Sequence, residues 1–139
     1  MKYSSSANFT SYVQLTVIPN VGCSDDDWRS AHPSPAGRVA LVKRGICAFR
    51  QKGLLATKYK AAALLLYNDG VTPNRMAPLI VGLAQDNNIP ALFLSFSTGQ
   101  ALAALANNRE TNAAIKMVIN TKAVCMLHFS TYNRVEERH

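Results

Sequence analysis

The segment Gly37-Arg38-Val39-Ala40-Leu41-Val42-Lys43-Arg44-Gly45-Ile46-Cys47-Ala48-Phe49 decides how this chain is read, because its periodicity changes in the middle. Residues 37–43 form a short apolar, β-branched run and read as a strand buried on at least one face, ended by the Arg44-Gly45 turn. From Ala48 onward Phe49, Leu55 or Ala56, and Tyr59 recur at helical spacing, while Arg50, Gln51, Lys52, Lys58 and Lys60 fill the other face. That pattern predicts an amphipathic helix of about three turns. Ala63-Leu64-Leu65-Leu66-Tyr67 follows, a run without a polar face that stops at Asn68-Asp69-Gly70. Strand, helix and fully apolar strand in succession predict a crossover unit with parallel strands.

Upstream, Tyr12 to Ile18 reads as a strand closed by Pro19-Asn20. The stretch Gly22 to Gly37 collects Ser, Asp, Pro and Gly around the lone Trp28, a composition that does not sustain regular structure for long. Downstream, Val71 to Asn88 is polar and Pro-bearing and predicts a loop with a short strand at Leu79-Ile80-Val81. Ile89 to Ser95 is another buried strand, and Ser97 is placed to cap the following helix, which runs to Asn107-Asn108. Two last strands are expected over Ala113 to Ile119 and Ala123 to Phe129, with Lys116 and Lys122 facing water. The fold class is therefore α+β: a β-rich sheet or open barrel with two flanking helices.

Length and composition bound the function. A chain of 139 residues with 48% hydrophobic residues suits one compact domain with a sizeable core. The net charge of +7 favours acidic partners, but the basic residues are scattered, so no nucleic-acid footprint is assigned. No run approaches a membrane span, and Met1-Lys2-Tyr3-Ser4 lacks the apolar core of a signal peptide, which would not argue for a cytosolic origin in a domain taken from a longer chain. Cys23, Cys47 and Cys125 fit either one disulfide with a spare thiol or three reduced core cysteines. Asn8-Phe9-Thr10 is a glycosylation acceptor pattern, meaningful in a secreted protein, which makes Asn8 the glycan candidate.

Three pieces in order resemble the protease-associated (PA) domain family. They are Val17-Ile18-Pro19-Asn20-Val21-Gly22-Cys23 before an acidic loop; the Gly37 to Phe49 segment with Lys52, Ala56 and Ala61 to Asn68; and Ile89-Pro90-Ala91-Leu92-Phe93-Leu94-Ser95 leading into Gly99-Gln100-Ala101-Leu102. The middle piece is the specific one. The resemblance implies a swivelling β/β/α-like fold over residues 1–139 as a single domain, and marks Gly22, Arg44, Gly45, Phe49, Lys52 and Pro90 as motif residues with structural roles. It also implies that Cys23 and Cys47 are joined, closing a loop of about 25 residues and contributing roughly 3 kcal/mol on a chain-entropy account. Family members carry Gly where this chain has Lys60, so the helix either ends differently here or strains Lys60.

Such a domain is not itself catalytic, and the inventory agrees. There is no His-Glu-x-x-His helix, Gly-x-Ser-x-Gly elbow or Cys-x-x-Cys pair. His32, His128 and His139 lack evident partner ligands and read as structural or surface residues. Asp25-Asp26-Asp27 lacks the interleaved ligands of a calcium loop and reads as a solvated loop or helix cap. Ser95 and Ser97 read as caps. No catalytic, cofactor or metal residue is assigned to this chain.

The flanks Tyr3 to Thr10 and Ser130 to Asn133 resemble the junctions at which this domain is inserted in secreted or vacuolar zinc aminopeptidases of fungal type. Arg134-Val135-Glu136-Glu137 departs from that pattern. The resemblance implies a catalytic domain outside this chain as partner, with zinc bound there, and a lid or peptide platform role for this module in a secreted or vacuolar compartment. The loop Val71 to Asn88 and the acidic loop near Trp28 would border the peptide surface, or else merely cover the core. The motif Arg44-Gly45-x-Cys47-x-Phe49 is equally typical of luminal domains of membrane ubiquitin ligases and vacuolar cargo receptors, where the role is peptide or protein capture.

Overall fold

The computed structural model describes residues 7–8, 11–79, 81–83, 87–107, 111–119 and 125–133, the first and the last two of these segments through their backbone pairing. Four parallel strands form its centre: β2 (Val13–Val17), β3 (Val39–Lys43), β4 (Ala63–Tyr67) and β5 (Ala91–Leu94), with Leu15 opposite Val39, Val39 opposite Ala63 and Leu64 opposite Ala91. An antiparallel extension continues from β2. There β6 (Thr111–Ile119) pairs with β2, with β1 (Ala7–Asn8) and with β7 (Cys125–Asn133). Among the described residues no ladder joins β5 to the far end, so the sheet is open rather than a closed barrel.

Strands β4 and β5, and β3 up to Lys43, are apolar on both faces because both faces are covered, whereas β2 carries Gln14 and Thr16. On one face Ala40, Val42, Leu64, Leu66 and Phe93 pack beneath α2 (Phe49–Lys58) through Leu55, Ala56 and Phe49. On the other, Leu41, Leu65, Tyr67 and Leu94 meet α3 (Phe96–Asn107) through Leu102 and its neighbours. The crossover unit β3-α2-β4 is the one expected from the change of period.

Three details differ from the sequence expectations. A third helix, α1 (Asp25–Arg29), forms in the Ser/Asp-rich stretch. Ser24 caps it by accepting from the Asp27 N–H, and the Asp27 side chain accepts from the Ser24 N–H in return. Its Trp28 is fully buried, stacked on Tyr59 at 6.1 Å, and donates through Nε1 to the Gly22 carbonyl at 3.0 Å. The cap of α3 is Ser95, whose Oγ accepts from the Thr98 N–H at 3.2 Å, whereas Ser97 lies exposed within the helix. A single turn of 3-10 helix, Pro73–Arg75, interrupts the loop after β4. The short strand expected there involves Ile80, which lies outside the described residues, as do Phe9, Thr10, Lys122, Arg134 to Glu137 and His139.

Lys60 resolves the question raised by the missing glycine. It adopts φ 59°, just after the Tyr59 C-cap. The Ala61 N–H bonds the Ala56 carbonyl at 3.0 Å and the Lys60 N–H bonds the Thr57 carbonyl at 3.1 Å, the pair of bonds that defines a Schellman ending. The helix therefore ends as it would with glycine, and Lys60 carries the strain of a left-handed L-residue.

Candidate functional site

Parallel strands deliver their carboxyl ends to one rim of the sheet, and at that rim β3 and β4 open into a groove of about 310 Å³ lined by residues 44–49 and Arg75. In open α/β sheets the carboxyl rim is the usual place for ligands.

The floor is locked by cross-links of three kinds. Cys23 and Cys47 form a disulfide with Cα atoms 5.8 Å apart, tying the leading loop to the groove loop. Lys52, fully buried on α2, donates from Nζ to the Val21 carbonyl at 2.5 Å and to the Lys43 carbonyl at 2.6 Å. The Gln51 amide donates to the Cys23 carbonyl at 2.8 Å. Burial pushes the Lys52 ammonium down to about 8, with Asp27 pulling the other way. Behind the loop, Phe49 meets Phe93 edge to face at 5.4 Å.

The turn itself needs its glycine. Gly45 has φ 147°, and a Cβ there would lie 2.9 Å from Val21 Cγ1. Gly22 is equally constrained, at φ 62° with a Cβ position 2.8 Å from Val42 Cγ1. Ile46 follows at φ 59° and is 95% exposed. A β-branched side chain in the left-handed region is a genuine outlier and costs roughly 1–2 kcal/mol. Among the described residues nothing repays that cost by burying Ile46.

The remaining lining residue, Arg75, and the loop residue Arg44 are both held by side chains that follow β4. Asn68, fully buried, accepts from Arg44 Nη1 at 3.1 Å and donates to the Ala77 carbonyl at 2.8 Å, so one amide holds both the Arg44 guanidinium and the loop beyond. Asp69 pairs with Arg75 across the loop. Burial works against the Asp69 carboxylate, but the Val71 N–H, Arg75 and Arg44 outweigh it and hold its pKa below the usual range. Arg75 Nε is buried and has no hydrogen-bond partner among the described residues.

Of the residues singled out in the sequence, Cys23, Arg44, Gly45, Cys47, Phe49 and Lys52 converge on this groove or its floor. Gly22 lies behind it. Pro90 does not join it: its carbonyl accepts from the Leu64 N–H at 2.8 Å at the start of β5. Asn8 pairs with Val118 in β1, far along the antiparallel extension. The acidic run spends its carboxylates locally, Asp25 on Lys58 and Tyr59, Asp26 on Arg29, and Asp27 on Asn20 and the Cys23 N–H. Among the described residues no three of His, Cys, Asp and Glu come together in a group that could hold a metal ion. Ile46, Asn68 and Arg75 were missed. The signal for Asn68 was available, as the polar residue that directly ends the all-apolar run Ala63 to Tyr67; Arg75 had none.

Comparison with known proteins gives a consistent set of likenesses. The family model for the PA domain matches residues 10–102. The probable leucine aminopeptidase 2 of Aspergillus oryzae is 40% identical over 109 residues, covering 76% of this chain and 20% of that protein. An aminopeptidase of Pseudomonas aeruginosa is 34% identical over 82 residues, 58% of this chain and 15% of its own length. This chain thus spans about a fifth or less of these relatives. Among solved structures, the aminopeptidase from Aneurinibacillus sp. strain AM-1 shares the fold with a TM-score of 0.59 at 20% identity, over 86% of this chain and 32% of that one. BSAP, a zinc aminopeptidase from Bacillus subtilis, gives 0.54 at 16% identity, over 91% and 26%.

Proposed function

The chain belongs to the PA domain family, and from that premise we propose that it is a single, non-catalytic accessory domain of a secreted or vacuolar zinc aminopeptidase. Hydrolysis and zinc then reside in a catalytic domain elsewhere in the parent, and this module acts as a lid or platform that holds the peptide substrate beside the active-site cleft. Asn8 is its glycan acceptor. The observation that carries the reading is the groove at the carboxyl rim, where a strained and exposed Ile46 stands beside Arg44 and Arg75 on a floor braced by the disulfide and Lys52. A site so braced is preorganised, which lowers the ordering cost of binding. Capture of a luminal ligand by a receptor would use the same groove, but the curated relatives being aminopeptidases favours the peptidase parent.

The test is kinetic. In the parent enzyme, Arg75→Gln should raise KM for oligopeptides while leaving kcat/KM for a single aminoacyl chromogenic substrate unchanged, because only the longer substrate reaches the groove. Equal effects on both substrates, or on neither, would remove the platform role.

A further inference from the structure

Ile46 combines two costs that folding does not recover. Its backbone sits in a region unfavourable to β-branched residues, and its side chain is 95% exposed. Observed strain of this kind at a preorganised site points to use by a ligand. The same groove is lined by two guanidiniums, with one carboxylate nearby. Arg44 donates to the neutral amide of Asn68, Arg75 pairs with Asp69, and the buried Arg75 Nε remains without a partner among the described residues. The site thus keeps an excess of positive charge and a desolvated donor beside an apolar knob.

We propose that the groove between Ile46 and Arg75 binds a peptide segment that lays an apolar side chain against Ile46 and places an adjacent carboxylate on Arg75 and Arg44. The inference rests on the peptide-holding role and adds the chemistry of what is held. An apolar residue seated on Ile46 removes both surfaces from water, and a carboxylate on the guanidiniums forms charge-assisted bonds that a neutral amide cannot match.

The experiment is an NMR shift titration of the full 139-residue chain with end-blocked peptides containing Leu-Glu, Leu-Gln or Ser-Glu. Leu-Glu should bind on the order of tenfold more tightly than either of the others, with shifts centred on residues 44–49 and 75. Ile46→Asn keeps a residue that tolerates the left-handed turn, so it should raise the unfolding temperature while abolishing the preference for Leu over Ser. Ile46→Leu should retain binding. Equal binding of all three peptides would overturn the proposed chemistry and leave the platform role standing. Binding by none of them, or shifts confined to another surface, would overturn both.

Discussion

The buried ammonium of Lys52 lies 2.5 Å from the Val21 carbonyl oxygen, so one side chain on α2 holds the leading loop in place from below, and its second bond, to Lys43, anchors the strand that launches the groove loop. Burial lowers its pKa from 10.5 to about 8. Between those values the unfolded chain binds a proton that the folded chain has released, so this residue's contribution to stability rises with pH through that window. Below about pH 8 both states are protonated and the cost of burying the charge, about 3 kcal/mol, is carried in full. Urea unfolding of the protein and of Lys52→Met at pH 7 and pH 10 should show the difference between them moving toward the unmodified protein at the higher pH. A difference that does not change would show that the ammonium is not desolvated.

Lys60 offers the opposite kind of test. Its φ of 59° supports the Schellman ending of α2, and its side chain is exposed. Lys60→Gly should stabilise the protein by up to about 1 kcal/mol, glycine's larger unfolded-state entropy taking back part of the gain. The midpoint of urea unfolding measures it. A fall in the midpoint would mean that the lysine side chain makes a contact worth more than the backbone strain.

Removing both cysteines of the disulfide with Cys23→Ala and Cys47→Ala should cost roughly 3 kcal/mol in unfolding free energy. Lys52 and Gln51 still bridge the same loops through backbone carbonyls. The groove loop should therefore stay folded, read as retained amide-exchange protection at Lys52 and Gly53 on α2. Loss of that protection at temperatures well below unfolding would show that the disulfide alone holds the floor.

Gly99 is where α3 touches the sheet. A Cβ there would fall 2.0 Å from Tyr67 Cγ, and Tyr67 sits in the central strand β4 with no room to retreat. Gly99→Ala should lower stability by about 1–3 kcal/mol or more despite alanine's better helix propensity. Thermal unfolding gives the answer; an unchanged Tm would mean that α3 slides on the sheet at little cost.

Much of the architecture was legible along the chain. The change of period at Lys43 to Phe49 marked the strand-helix junction, and the unbroken run Ala63 to Tyr67 marked a strand covered on both faces, since only two-sided burial tolerates five apolar residues in a row. The cap of α3 falls on Ser95 and not two residues later on Ser97, because strand exit and helix entry share the same few residues and either hydroxyl has the right chemistry. The helix at Asp25–Arg29 was hidden by a composition typical of loops; it persists because Trp28 is anchored in the core and Ser24 and Asp27 close both ends of one capping box.

The sequence by itself determined the pattern of burial, the glycines that let the chain turn at Gly22 and Gly45, and the membership that those motifs carry, because period, turn chemistry and charge are local properties. Which side chains meet was decided only by the tertiary structure. Arg44 and Arg75 are brought to one groove by the parallel order of β3 and β4 and by Asn68 at the end of the latter, and Lys52 becomes an internal clamp only once α2 lies across the sheet. Spacing alone left the cysteines open between one disulfide and three thiols. Contacts between residues distant in sequence are set by packing, and no local period encodes them.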